Sequence, residues 1–81
     1  MAMKRYRRIR DLREDADLTQ TQIGEKINLT QRSYSYYETG QQTIPPEVLC
    51  DLALFHNVSV DYLLELTDVS QPYPRKKRFH Y

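Results

Sequence analysis

Residues 18–40, LTQTQIGEKINLTQRSYSYYETG, decide the fold. Twice in this stretch a threonine precedes a short run with helical spacing: Thr19 before QTQIGEK and Thr30 before QRSYSYYE. Threonine suits a helix N-cap because its side-chain oxygen can accept from a first-turn N–H that has no partner in the helix. Gln22, three residues after Thr19, completes a Thr-x-x-Gln capping box. Ile23 and Ile27 supply the buried stripe of the first run. Gly24 beside them costs about 1 kcal/mol of helix propensity relative to alanine, which predicts a packing reason such as the close approach of another helix. Asn28 tolerates a left-handed turn conformation, Leu29 points inward, and Gly40 ends the second run. The stretch therefore reads as a short helix, a turn of about three residues around Asn28, and a polar helix from Gln31 to about Glu38.

Working outward, Tyr6, Ile9, Leu12 and Ala16 recur on one face of a first helix. On the other side, Pro45-Pro46 suits the first turn of a fourth helix, EVLCDLALFHN. Its broad apolar face holds Val48, Leu49, Leu52, Ala53 and Phe55, with Cys50 as a small core residue. Ser59 caps a fifth helix, VDYLLEL, with Val60, Leu63 and Leu64 apolar. Five short helices and four short breaks predict an all-α bundle over residues 1–66. Pro72 and Pro74 introduce an extended, basic tail over 67–81.

Eighty-one residues make one domain with a modest core. No apolar run approaches the roughly 20 residues that cross a bilayer. The opening MAMKRYRRIR lacks the apolar stretch of a secretory leader, and the lone Cys50 allows no internal disulfide, so a reducing cytoplasm is expected. His56 and His80 are too isolated to bind a metal, and each is expected to be either satisfied or exposed. The acids show no paired-carboxylate site and there is no phosphate-binding glycine loop. No enzymatic activity, cofactor or small-molecule ligand is expected. The net charge of +1 conceals a strong asymmetry. Lys4, Arg5, Arg7, Arg8, Arg10 and Arg13 crowd the start, and Arg75, Lys76, Lys77 and Arg78 the end. The segment 14–74 keeps only Lys26 and Arg32 against ten acids. Basic ends often meet phosphate, although they can also be no more than solvated arms.

The segments LREDADLTQTQIGEKINLTQRSYSYYETGQ and IPPEVLCDLALFHNVSVDYLL resemble the phage-repressor-type (XRE-type) helix-turn-helix family over about residues 4–66. The matching positions are Leu12-Arg13, Leu18-Thr19-Gln20, Tyr37-Glu38, Gly40, Val58-Ser59, Asp61 and Leu63-Leu64. The resemblance implies a five-helix lambda-repressor-like domain whose third helix enters the DNA major groove. It also implies that Gln20, capped by Thr19, braces the DNA backbone and the first recognition residue. Thr39, Gln41, Gln42 and Thr43 would meet phosphates after the recognition helix. Arg13 and Glu38 would form a partly buried salt bridge between helices one and three; otherwise Arg13 is simply exposed. The chain departs from the family pattern at Gly24, usually alanine, at Asn28, usually glycine, and at Tyr34, usually isoleucine or valine.

A helical wheel sorts the tyrosines. At 100° per residue Tyr34 and Tyr37 lie about 60° apart on one face, while Tyr36 is about 160° from Tyr34. Tyr34 and Tyr37 are thus expected in the core. Arg32, Ser35 and Tyr36 form a candidate base-reading face with Ser33 at its edge, where Ser33 braces the backbone; Gln31 lies nearer the inner face by angle but joins the base-reading residues by projecting from the first turn. Arginine can bind guanine O6 and N7, glutamine can pair with adenine N6 and N7, and tyrosine can touch a thymine methyl or a phosphate.

Double-stranded DNA carrying a two-fold symmetric operator is the expected partner, read by a homodimer of a bacterial or phage-derived regulator, a repressor. Val60, Tyr62, Leu64 and Leu66 are candidate dimer surface and could equally complete the monomer core. The tail could be an arm on DNA, a contact to a partner subunit through Tyr73, Phe79 and Tyr81, or disordered. A second class of function on the same fold is a protein-interaction module of the antitoxin or anti-repressor type. In that case the outer face of the third helix would be buried in a protein.

Overall fold

A computed structural model describes residues 5–72. They form α1 (Arg7–Asp15), α2 (Gln20–Lys26), α3 (Gln31–Thr39), α4 (Pro46–His56) and α5 (Val60–Leu63). There is no strand among the described residues. The all-α, five-helix architecture is the one the sequence predicts. The fifth helix is shorter than the run VDYLLEL, because the chain leaves the helical path at Leu64 and turns at Glu65.

Caps explain the element starts. The Thr19 oxygen accepts from the Gln22 N–H at 3.1 Å, while the Gln22 side chain accepts from the Thr19 N–H at 2.8 Å, so the capping box is complete. Thr30 accepts from the Ser33 N–H at 3.1 Å, and Ser59 from the Tyr62 N–H at 3.0 Å. Pro46 opens α4, where its missing N–H is not needed.

The element ends share one device. Each helix closes on a residue with a left-handed backbone: Asp17, Asn28, Gly40, Asn57 and Glu65. The N–H of the next residue then returns to the carbonyl five positions back, as in Leu18 to Arg13, Leu29 to Gly24 and Val58 to Ala53. This satisfies carbonyls that the helix leaves open. Only one of the five is glycine. The sequence signal was read at Asn28 and Gly40; it was not read at Asp17, although aspartate tolerates this backbone, and it is silent at Glu65.

The core comprises Ile9 of α1, Ile23 of α2, Tyr34 of α3, Val48, Leu52 and Ala53 of α4, and Leu63 of α5. Ile27, Ile44 and Val58 join it from the connections. Tyr34 is fully enclosed, and Tyr37, Leu12 and Leu29 pack against this cluster while half-buried. Some residues depart from their expected places. Ala16 is exposed because α1 has already ended there. Cys50 is exposed. It lies about 160° around α4 from the buried Leu52, so helical geometry turns it outward. Phe55 sits at the margin of the buried stripe, remains exposed, and meets the His56 ring edge-on at 5.1 Å. His56 is neither satisfied nor exposed: its Nε2 is enclosed without a hydrogen-bond partner among the described residues, and burial lowers its pKa. At Gly24 the close approach comes from the turn itself. A Cβ there would stand 2.8 Å from the Leu29 carbonyl oxygen.

Beyond Leu66 the chain stays attached. The Arg8 guanidinium donates to the carbonyls of Tyr62 and Thr67 and to Asp68, and the Ser59 N–H donates to the Ser70 carbonyl at 3.2 Å. The basic cluster Arg75–Arg78 and the aromatics Tyr73, Phe79 and Tyr81 lie outside the described residues.

Candidate nucleic-acid interface

The site is built on α3, whose two faces have opposite tasks. On the inner face Glu38 is 4 % exposed. Arg13 reaches it from α1 in a bidentate pair, Nε to Oε2 at 2.9 Å and Nη2 to Oε1 at 3.0 Å, with the Arg13 side chain 12 % exposed. The remaining Arg13 nitrogen, Nη1, donates to the Leu18 carbonyl at 2.8 Å. One guanidinium thus joins α1, the connection into α2, and α3. Burial alone would raise the Glu38 pKa. Hydrogen bonds from Arg13 and its neighbours, with the arginine charge, outweigh burial and hold the carboxyl below its ordinary value. The bond to Glu38 raises the Arg13 pKa in turn.

Tyr34 lies one turn before Glu38. Its hydroxyl is buried and has no partner in good hydrogen-bond geometry, yet it is close enough to Glu38 to feel it. Desolvation, then the carboxylate, push its pKa up, so the phenol stays neutral. The ring fills a core position without adding a charge to it.

Gln20, at the first position of α2, connects the inner network to the outer face. Its Nε2 donates to Glu38 Oε1 at 3.2 Å, and its Oε1 accepts from Gln31 Nε2 at 2.6 Å. Gln31 and Arg32 are exposed, Ser33, Ser35 and Tyr36 half-buried. Arg32 Nε donates to the Tyr36 hydroxyl at 2.7 Å, with the guanidinium 5.6 Å from the centre of the Tyr36 ring. This holds the arginine along the helix. Ser33 is engaged in the cap, its hydroxyl accepting from Thr30 at 3.1 Å. Thr39 donates back to the Ser35 carbonyl at 2.8 Å, while Gln41, Gln42 and Thr43 follow as an exposed polar loop. Thr19 is exposed at the start of α2, on the same polar side chain run as Gln20.

The arrangement is a polar helix pinned from behind by a buried ion pair, with an arginine and two amides or hydroxyls presented outward. Among the described residues no group of three His, Cys, Asp or Glu side chains is placed to hold a metal. No helix among them is long and apolar enough to cross a membrane.

Of the four residues considered for a dimer surface, Val60 and Tyr62 pack against the core and Leu64 is half-buried, whereas Leu66 is 72 % exposed. Sequence reasoning missed Arg8. Besides its hydrogen bonds, its guanidinium stacks 4.0 Å from the centre of the Tyr62 ring. Its main acceptors are backbone carbonyls, which leave no mark in a sequence. It also missed Glu65, whose carboxylate accepts from the Arg7 N–H at the start of α1 at 3.3 Å.

A capped α2, a left-handed turn at Asn28 and a pinned α3 define a helix-turn-helix domain. The family profile described as "Helix-turn-helix" matches residues 9–63, and the chain belongs to this XRE-type helix-turn-helix family. The HTH-type transcriptional regulator YobD of Bacillus subtilis (strain 168) is 41 % identical over 70 residues, covering 86 % of this chain and 62 % of that protein. The HTH-type transcriptional regulator ImmR of the same organism is 34 % identical over 65 residues, covering 80 % of this chain and 51 % of that protein. The chain therefore spans somewhat more than half the length of either relative.

Proposed function

We propose that the chain is a sequence-specific DNA-binding transcriptional regulator, a repressor, that lays α3 in the major groove. The observation that carries this reading is the outer face of α3. Gln31, Arg32 and Tyr36 project from a helix that the Arg13–Glu38 pair fixes from behind. Membership of the helix-turn-helix family and the names of the two relatives support it. Arg32, with Nε held by Tyr36, offers its two terminal nitrogens to a guanine edge, and Ser35 and the Tyr36 hydroxyl lie beside it. Thr19, Gln20, Ser33, Thr39, Gln41, Gln42 and Thr43 contact the phosphates that set the register.

One such domain reads only a few base pairs, so two copies bind a two-fold related site. The exposed Leu66 and Val69 support a contact between copies beyond α5. The basic cluster Arg75, Lys76, Lys77 and Arg78 serves as an arm on DNA or on the partner copy. Selection of bound sequences from a random duplex pool at low salt tests the reading. The expected result is a two-fold related motif whose binding weakens steeply with salt. Arg32→Ala is expected to relax the preference at one base step in each half-site, by about 1–3 kcal/mol. A pool with no enrichment, together with an α3 face that a protein partner buries, would establish the protein-interaction function instead.

A further inference from the structure

We propose that in the DNA-free chain the segment 73–81 seats on an exposed stripe of its own α4, Tyr73 against Leu54 and Phe55, and Arg75 and Lys77 against Asp51 and Glu47. The segment carries the cations assigned above to an arm on DNA; without DNA they have a seat on their own domain. Every measurement that tests this is made without DNA, so it stands or falls apart from the DNA-reading function.

Glu47, Asp51, Leu54 and Phe55 are spaced four, seven and eight residues along α4, so they share one side of the helix. All four are exposed, Leu54 at 53 % and Phe55 at 39 %. A groove of about 320 Å³ lies between this side and the end of α2, lined by Lys26, Ile27, Asn28, Asp51, Leu54 and Phe55. Neither Glu47 nor Asp51 makes an ion pair among the described residues, not even with Lys26 across the groove. The stripe is therefore apolar near the C-terminal end of α4 and acidic toward its N-terminus.

The segment matches the stripe in order and in spacing. The Ser59 N–H donates to the Ser70 carbonyl at 3.2 Å, which brings the chain to Pro72 close to the C-terminal end of α4. Tyr73 and Pro74 follow, then Arg75, Lys76, Lys77 and Arg78. An aromatic residue and then cations is the order of the stripe read backward from the helix end. Pro74 biases Tyr73 toward extended backbone. In an extended chain residues 73, 75 and 77 point to one side at steps of about 7 Å. Phe55, Asp51 and Glu47 stand on α4 at steps of about 6 Å. Nine residues span up to about 30 Å, whereas the 11 residues of α4 are about 16 Å long. The short tether keeps the segment at an effective concentration on the order of millimolar, so contacts that are individually weak at a surface can hold it. A second copy has no such advantage, which is why the seat is assigned to the same chain.

The test is a nitroxide on Cys50, the single cysteine, exposed one position before Asp51. In the full DNA-free chain at low salt it should broaden the amide resonances of residues 75–78, and the Tyr73 ring should show NOEs to the Leu54 methyls. Combined Glu47→Gln and Asp51→Asn should remove the broadening, and so should high salt. Tyr73→Ser should weaken it. Both acids are exposed, so the double variant should melt as wild type does. A wild-type segment that is not broadened overturns the proposal, and so does broadening that survives the loss of both acids. Loss of the broadening when the labelled chain is diluted into excess unlabelled chain would put the segment on a second copy and overturn the seat on its own α4.

Discussion

Helix α1 holds the two halves of the molecule through two arginines five positions apart. Arg13 faces the helix-turn-helix and grips Glu38 with two nitrogens inside a nearly closed environment. Arg8 faces the end of the domain and grips mainly backbone, the carbonyls of Tyr62 and Thr67, while stacking on the Tyr62 ring. Its charged partner, Asp68, is 99 % exposed. The first contact is an ion pair withdrawn from water, in which either charge is stranded without the other. The second is a clamp on carbonyls to which an ion pair has been added in solvent. A short distance therefore does not rank a salt bridge: Arg8–Asp68 at 2.6 Å is shorter than Arg13–Glu38 at 2.9 Å, and the shorter one matters less.

The largest effect should follow from breaking the buried pair. Glu38→Ala strands the Arg13 guanidinium and is expected to cost about 3–5 kcal/mol of stability, read as the shift in a urea melt. Arg13→Ala should cost a similar amount, and the double variant less than the sum of the two, since each single change leaves the other charge buried and unpaired. Near-zero shifts for both single variants would remove the distinction between the two halves. The same pair fixes the response to acid. The Glu38 pKa is lower folded than unfolded, so its stabilisation is fully present above its ordinary 4.5 and is lost as pH falls through the lower folded value. His56 acts in the same direction nearer neutrality. Burial holds its folded pKa below 6.5, so stability falls as pH drops beneath that value. Melts of wild type and Glu38→Gln from pH 6 to pH 3 should therefore converge as the pH approaches the lower end.

Gly24 tests the helix-turn-helix half without touching a charge. Alanine would gain about 1 kcal/mol in helix propensity. Its Cβ would also meet the Leu29 carbonyl at 2.8 Å, a backbone atom held by the bond from the Leu29 N–H to the Gly24 carbonyl at 2.7 Å. Overpacking against a fixed backbone costs about 1–3 kcal/mol, so Gly24→Ala should destabilise despite the propensity gain. A rise in melting temperature would mean that the turn gives way readily.

These cases show how much the sequence could disclose. Helix starts were legible because Thr19, Thr30 and Ser59 carry their caps in their own side chains. The buried Tyr34–Glu38 side of α3 and the exposure of Arg32 followed from periodicity, whereas Gln31 lies nearer the inner face by angle and is exposed because it sits in the first turn. The Arg13–Glu38 pairing was suggested by resemblance, since nothing in spacing alone joins residues 25 positions apart. The left-handed closure at Glu65 was hidden because glutamate is not among the residues that favour that backbone. Cys50 and Phe55 were misplaced because α4 is apolar around most of its circumference, and such a helix does not announce which side is covered. The Arg8 clamp was invisible for a different reason: carbonyls have no sequence.

On the clamp side, Arg8→Ala should cost about 1–2 kcal/mol, from hydrogen bonds to carbonyls and one stacked ring, discounted for partial exposure. Hydrogen exchange should localise the effect. The Ser59 N–H, bound to the Ser70 carbonyl, should lose protection, while the Leu18 N–H, bound to the Arg13 carbonyl, should keep it. Loss of protection at both would show that α1 transmits the change and that the halves are not independently tied.

The smallest effect is expected at Asp68. Its carboxylate lies 2.6 Å from Arg8 Nη2 but is almost wholly in water, where screening and side-chain entropy offset the attraction. Asp68→Ala should leave the melting curve unchanged at physiological salt and at high salt alike, with Arg8 still held by the Tyr62 and Thr67 carbonyls. A loss at low salt that disappears as salt is added would show a screened surface pair with measurable weight. A loss as large as that of Arg8→Ala, persisting at high salt, would show instead that the carboxylate anchors the clamp, and the contrast between the two arginines would then rest on Glu38's burial alone.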